Sequence, residues 1–158
     1  MIRVFIRPCG KTYVEEHAAA YELLYTAASL MGLKAGRVEK TDKGKPYFPD
    51  AKDTFFSISH GGGYAAVAIG DRPCGLDIEA DRSVSRRIRE KFLDNASEDE
   101  AILRWTERES RGKLLGGGFF DTDVTEPVSF THFRYGCLTV TLCTYSGTEV
   151  TDKIEELS

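Results

Sequence analysis

The sequence predicts an α+β fold with mostly antiparallel sheet, and three observations carry that prediction. Short strand-like runs come in pairs separated by tight-turn residues, which favours hairpins over crossovers. Only two segments have the length and spacing of substantial helices. The order of elements is strand–helix–strand–strand over residues 1–70 and strand–helices–strand–strand over residues 73–145, so the chain reads as two similar α/β halves. We place those halves at about 1–70 and 71–158 of one domain spanning 1–158, since 158 residues suit a single core or two small halves sharing one.

Residues 2–7 alternate as a strand and are closed by Pro8-Cys9-Gly10. A helix is expected over 14–31, with Ala19, Leu23, Ala27 and Leu30, or alternatively Leu24 and Ala28, at helical spacing, and Gly32 as its stop. Residues 34–46 read as a basic loop carrying Lys34, Arg37, Lys40, Lys43 and Lys45. Residues 54–59 and 64–69 read as two strands around His60 and three glycines. A short helix follows from about Val84 to Leu93. Ser97-Glu-Asp-Glu100 has the form of a capping box that starts the next helix, which runs to Leu115 and stops at Gly116-Gly117-Gly118. Residues 127–134 and 137–145 form a closing hairpin around Tyr135-Gly136, and the polar tail from Ser146 is expected to fray.

Bulk properties exclude several classes of function. A net charge of −4 argues against a general nucleic-acid binder. No apolar run is long enough to span a bilayer, and the strand-like N-terminus lacks the apolar core of a signal peptide. Cys9, Cys74, Cys137 and Cys143 form no C-x-x-C pair. They read as reduced thiols of a cytoplasmic protein, not as a zinc site or a disulfide framework.

The chemistry centres on Gly75-Leu76-Asp77-Ile78-Glu79. On a strand, Leu76 and Ile78 face one way and Asp77 and Glu79 the other. The two carboxylates then stand roughly 6–7 Å apart at the Cα level. Partly enclosed, they favour a divalent cation, and Mg²⁺ suits them because it takes hard oxygen ligands and phosphate oxygens. Trp105, Glu109 and Lys113 follow at helical spacing on one face, so Glu109 is a third candidate ligand and Lys113 either reaches a phosphate oxygen or pairs with Glu109. His60-Gly61-Gly62-Gly63 has no nucleophile elbow to serve, and no G-x-x-x-x-G-K-[ST] loop is present, so an esterase and a P-loop enzyme are set aside.

The ordered set Gly44-Lys45-Pro46, Phe56-Ser-Ile-Ser59-His60, Gly75-Leu-Asp77-Ile-Glu79 and Trp105-x-x-Arg108-Glu109-Ser110-x-x-Lys113 resembles the 4′-phosphopantetheinyl transferase superfamily of the Sfp type. It covers about residues 41–115. Arg108 stands where the family's last motif usually has lysine. The resemblance implies two pseudo-symmetric halves with the site in the cleft between them. It implies transfer of the phosphopantetheine arm of coenzyme A to a serine of an acyl or peptidyl carrier protein, releasing adenosine 3′,5′-bisphosphate, as in a holo-[acyl-carrier-protein] synthase.

By the same resemblance, Asp77, Glu79 and Glu109 would hold Mg²⁺. Glu109, or water it orients, would take the serine proton, and Lys113 would stabilise the leaving oxygen. Lys45, Ser59, His60 and Lys113 would contact coenzyme A. Arg86, Arg87, Arg89 and Lys91, with Phe92 and Leu93 as apolar anchors, would meet the acidic helix of the carrier. The alternative is a non-catalytic relative that binds coenzyme A or a carrier protein without turnover. Retention of Asp77, Glu79, Glu109 and Lys113 favours the enzyme.

Overall fold

The computed structural model describes residues 1–121, 123 and 125–158. Strand β1 (Ile2–Pro8) leads to helix α1 (Tyr13–Leu30), a two-residue pair β2 (Glu39–Lys40) and β3 (Pro46–Tyr47), and the hairpin β4 (Phe55–Gly61) and β5 (Tyr64–Gly70). Strand β6 (Cys74–Ala80) is followed by helices α2 (Arg86–Phe92) and α3 (Ala101–Leu115). The hairpin β7 (Val128–Tyr135) and β8 (Leu138–Tyr145) and a last strand β9 (Val150–Glu156) complete the order.

The strands form a four-stranded sheet of order β4-β5-β1-β9 and a three-stranded sheet of order β6-β8-β7. Every pairing is antiparallel except β1 with β9. The α+β prediction with mostly antiparallel sheet is therefore borne out.

Alternation along the strands makes the layers. Ile2, Val4, Ile6, Ala66 and Ala68 of the larger sheet bury against Leu76, Ile78, Leu138, Val140 and Leu142 of the smaller one. On the larger sheet's other face, Phe5, Val67 and Ile69 meet Leu23, Leu24, Ala27 and Ala28 of α1. Helix α3 covers the far face of the smaller sheet, where Thr106 bonds Thr141 at 2.7 Å. Burying one Leu or Ile side chain contributes about 1.5–3 kcal/mol, so the core between the sheets is a principal source of stability.

Strands β4 and β6 run side by side without a backbone ladder. The Leu76 N–H donates to Ser57 Oγ at 2.9 Å and the Ile78 N–H to Ser59 Oγ at 3.1 Å. Two serine hydroxyls thus supply the acceptors that strand carbonyls would otherwise offer.

Three expectations need correction. The segment after Ser146 does not fray: β9 adds to the β1 edge, Arg3 and Glu155 form a two-bond ion pair, and Leu157 N–H bonds the Ile6 carbonyl. Ser97 does not cap α3. It closes a three-residue turn onto Glu100, which is the cap residue and has no side-chain cap bond. The capping box lies instead at Thr12 and Glu15, at the start of α1. Leu30, placed on the apolar face of α1, is exposed, and the buried stripe is Ala19, Leu23, Leu24, Ala27 and Ala28.

Candidate functional site

Close packing of α3 on β6 positions the acidic cluster. A Cβ on Gly75 would lie 2.0 Å from the Ser110 carbonyl oxygen and 2.4 Å from the Leu114 nitrogen, so only glycine lets the helix come this near. The helix then stops where predicted, at Gly116 with φ 94°. This contact carries Glu109 and Lys113 over the strand face that bears Asp77 and Glu79.

The result is a cavity of about 350 Å³ at the junction of β4, β6 and α3. Ser59, His60, Asp77, Glu79, Arg82, Glu109 and Lys113 all line it. The sequence-predicted carboxylates, lysine, serine and histidine therefore meet in one place.

Asp77 is buried, with Oδ1 3.3 Å from Ser59 Oγ and 3.4 Å from Lys113 Nζ. Its other oxygen, Oδ2, has no hydrogen-bond partner among the described residues. Burial pushes the Asp77 carboxyl up to about 7, Glu79 and Glu109 push the same way, and Lys113 opposes them. Burial also raises Glu109, with Lys113 again opposing and Glu79 adding to the rise. Lys113 thus pairs with Asp77 and not with Glu109, and its ammonium also reaches the Ile58 carbonyl at 3.3 Å.

Three carboxylates on one cavity, and a buried oxygen without a partner among the described residues, make a place that demands positive charge. That donor set fits a hard divalent cation. Among the described residues no three His, Cys, Asp or Glu side chains form a ready-made metal cage. A cation here would take its remaining ligands from water and phosphate, as Mg²⁺ commonly does.

Lys45 occupies a neighbouring cavity of about 240 Å³, which shares Ile58 and Lys113 with the first. Its ammonium donates to the Lys113 carbonyl at 2.6 Å and the Cys74 carbonyl at 3.0 Å, and burial lowers its pKa. It ties the β2–β3 turn to the end of α3. Of the loop's other cations, Lys43 pairs with Asp121, and Arg37 pairs with Glu39 and Asp50.

Sequence reasoning gives no role to Ser57 or Glu16, and counts Arg82 with the basic cluster that would face the carrier. Arg82 lies 3.5 Å from Glu79 and 4.8 Å over the Trp105 ring, so the tryptophan meets the acidic cluster through a guanidinium. Trp105 also packs on Phe119 at 4.6 Å. Arg108 donates to the carbonyls of Phe119 and Phe92, which commits its charge to holding the segment after α3. Only the spacing Ser57-x-Ser59 beside Leu76-x-Ile78 could have signalled the serine seam, and nothing in one sequence says that these two runs are neighbours.

On α2, Arg87 and Lys91 are exposed and Arg86 pairs with Glu90. Arg89 is turned inward onto the carbonyls of Val84 and Ala96. Leu93 is buried with Val84, Ala101 and Ile102, so it cannot serve as a docking anchor. Phe92 is half-buried against Phe119, and Phe120 beside it is exposed.

An α+β sheet junction that gathers three carboxylates and a lysine is the kind of site that handles phosphate esters with a divalent ion. Comparison with known proteins points the same way, and the resemblance read from the motifs is borne out. The chain is 29% identical over 94 residues to the 4′-phosphopantetheinyl transferase Sfp of Bacillus subtilis, a match covering 52% of this chain and 42% of that protein. It is 29% identical over 93 residues to the 4′-phosphopantetheinyl transferase gsp of Aneurinibacillus migulanus, covering 51% and 38%. A further Bacillus subtilis 4′-phosphopantetheinyl transferase is 39% identical over 50 residues, covering 32% and 22%. The matched region is about two fifths of the length of the first two relatives. No family model matches the chain. No described helix is long and apolar enough to cross a membrane.

Proposed function

We propose that this chain transfers the 4′-phosphopantetheine group of coenzyme A to a serine hydroxyl of an acyl or peptidyl carrier protein, releasing adenosine 3′,5′-bisphosphate. The observation that carries this reading is the convergence of Asp77, Glu79, Glu109 and Lys113 on one cavity, with Asp77 buried and raised to about 7. Asp77, Glu79 and Glu109 would hold Mg²⁺, which when bound supplies positive charge to the pyrophosphate.

Glu109 is the side chain assigned to take the serine proton. It sits half-buried on a rigid helix and lines the cavity, and it acts on the serine directly or through water that it orients. The serine oxygen forms its bond to the β-phosphorus while the bond from that phosphorus to the bridging oxygen breaks. Lys113 stabilises the departing phosphate oxygen, moving from Asp77 to the new negative charge. Ser59 and His60 bind the phosphates. Lys45 serves them from the adjoining cavity or through its grip on α3.

The strand orders support two pseudo-symmetric halves within one domain. In each, the opening strand (β1 or β6) pairs with the last strand of its set (β5 or β8), which pairs with the strand before it (β4 or β7). The carrier protein is assigned to the α2 face, where Arg87 and Lys91 steer and exposed Phe120 joins Phe92 as the apolar contact. Four free cysteines support a reducing, cytoplasmic setting.

The test is mass spectrometry of an apo carrier protein incubated with this chain, coenzyme A and Mg²⁺, with and without EDTA. The chemistry predicts a gain of one phosphopantetheine group, about 340 Da, only with free Mg²⁺. No gain across several carriers, with coenzyme A still bound by calorimetry, would leave a binding protein in place of the transferase.

A further inference from the structure

Glu16 is a buried carboxylate on α1, far in sequence from every motif of the site. A buried carboxylate needs partners. Its Oε2 accepts the Gly63 N–H at 2.8 Å, which ties α1 to the β4–β5 turn. Its Oε1 lies 3.6 Å from His60 Nδ1, and both side chains are shielded. That separation is long for a hydrogen bond and well within strong electrostatic reach. The edge of the Tyr13 ring at 5.2 Å and the His17 ring at 5.9 Å flank the imidazole. His60 itself lines the cavity with Asp77, Glu79, Glu109 and Lys113.

An ionised carboxylate only accepts hydrogen bonds. Facing such an acceptor favours the tautomer with its hydrogen on Nδ1, toward Glu16, and leaves Nε2 as the ring's other polar atom. The Thr12–Glu15 capping box fixes the first turn of α1 and with it the place of Glu16.

We infer that Glu16 is a positioning residue for His60, setting its tautomer and ring plane so that Nε2 addresses the phosphates of the substrate. This rests on the transferase reading for the identity of the substrate and not for the Glu16–His60 relation itself.

Two measurements test it. The first is ¹⁵N NMR of the His60 ring in the wild-type protein, without substrate. Hydrogen on Nδ1 is expected, and a neutral ring with its hydrogen on Nε2 overturns the proposal. The second is a cycle of Glu16→Gln, His60→Ala and the double variant. Glu16→Gln is expected to raise KM for coenzyme A about five- to tenfold with a smaller fall in kcat, and to add nothing once His60 is alanine. Effects that multiply in the double variant would make Glu16 a merely structural residue and overturn the proposal. If the wild-type chain transfers nothing, the transferase reading fails, and the NMR result still decides the relation between the two residues.

Discussion

Gly75 lies so close beneath Ser110 that a Cβ would stand 2.0 Å from the serine carbonyl. This contact between β6 and α3 brings a lysine and a glutamate from the helix to two acids on the strand. Gly75→Ala should push α3 off the sheet, cost about 1–3 kcal/mol and lower the thermal midpoint. Transfer should fall further than stability accounts for, because Glu109 and Lys113 move with the helix. Unchanged activity in a folded Gly75→Ala protein would sever the link between this approach and the site.

Asp77→Ala and Glu109→Gln should each reduce transfer by at least about 10²-fold while leaving the circular dichroism spectrum unchanged. Activity within a few fold of wild type in either variant would refute their assignment.

Asp77 also makes a prediction about pH. Its folded-state pKa, pushed up to about 7, stands above its ordinary value of 3.8. Its contribution to stability is therefore complete below about pH 4 and is lost as pH rises through about 7. In EDTA, Asp77→Asn should melt at a higher temperature than wild type at pH 8 and at nearly the same temperature at pH 4. A difference that does not change with pH would mean that Asp77 is not held neutral by its surroundings.

Charge reversal at Arg86 and Arg87 should raise KM for the carrier protein about tenfold and leave KM for coenzyme A unchanged. Steady-state kinetics with each substrate varied in turn makes the check. Equal effects on both substrates would point to damage in the fold.

Removing residues 150–158 takes away β9, the Arg3–Glu155 pair and the packing of Ile154 and Leu157. Burial of three or so apolar side chains is at stake, about 3–6 kcal/mol, so the thermal midpoint should drop by roughly 10 °C or more. A truncated protein as stable as the full chain would show that the parallel strand is dispensable.

Much of this was readable from the residues. The alternation of Leu76 and Ile78 against Asp77 and Glu79 gave the correct face for the acids, and the spacing of Glu109 and Lys113 gave the correct helix face. The three glycines after Leu115 gave its end. What escaped was non-local. Val150–Glu156 is polar enough to pass for a tail, and only the exposed β1 edge makes it a strand. Leu93 looked like a surface anchor because nothing nearby in sequence announces the small core of Val84, Ala101 and Ile102. Ser97 looked like a cap because its capping-box pattern is local, while the chain's path out of α2 decides where α3 begins. Lys45 looked like a free phosphate ligand, yet its ammonium is held by carbonyls twenty-nine and sixty-eight positions away.

The serine seam has a consequence for motion. Where a ladder of carbonyls joins two strands, separating them breaks many bonds at once, but here the amides of Leu76 and Ile78 hang on two side chains that can rotate. The floor of the cavity is thus fastened by a latch rather than a weld. Hydrogen exchange at these two amides would report the opening of the cleft directly, at positions that a continuous sheet would keep silent.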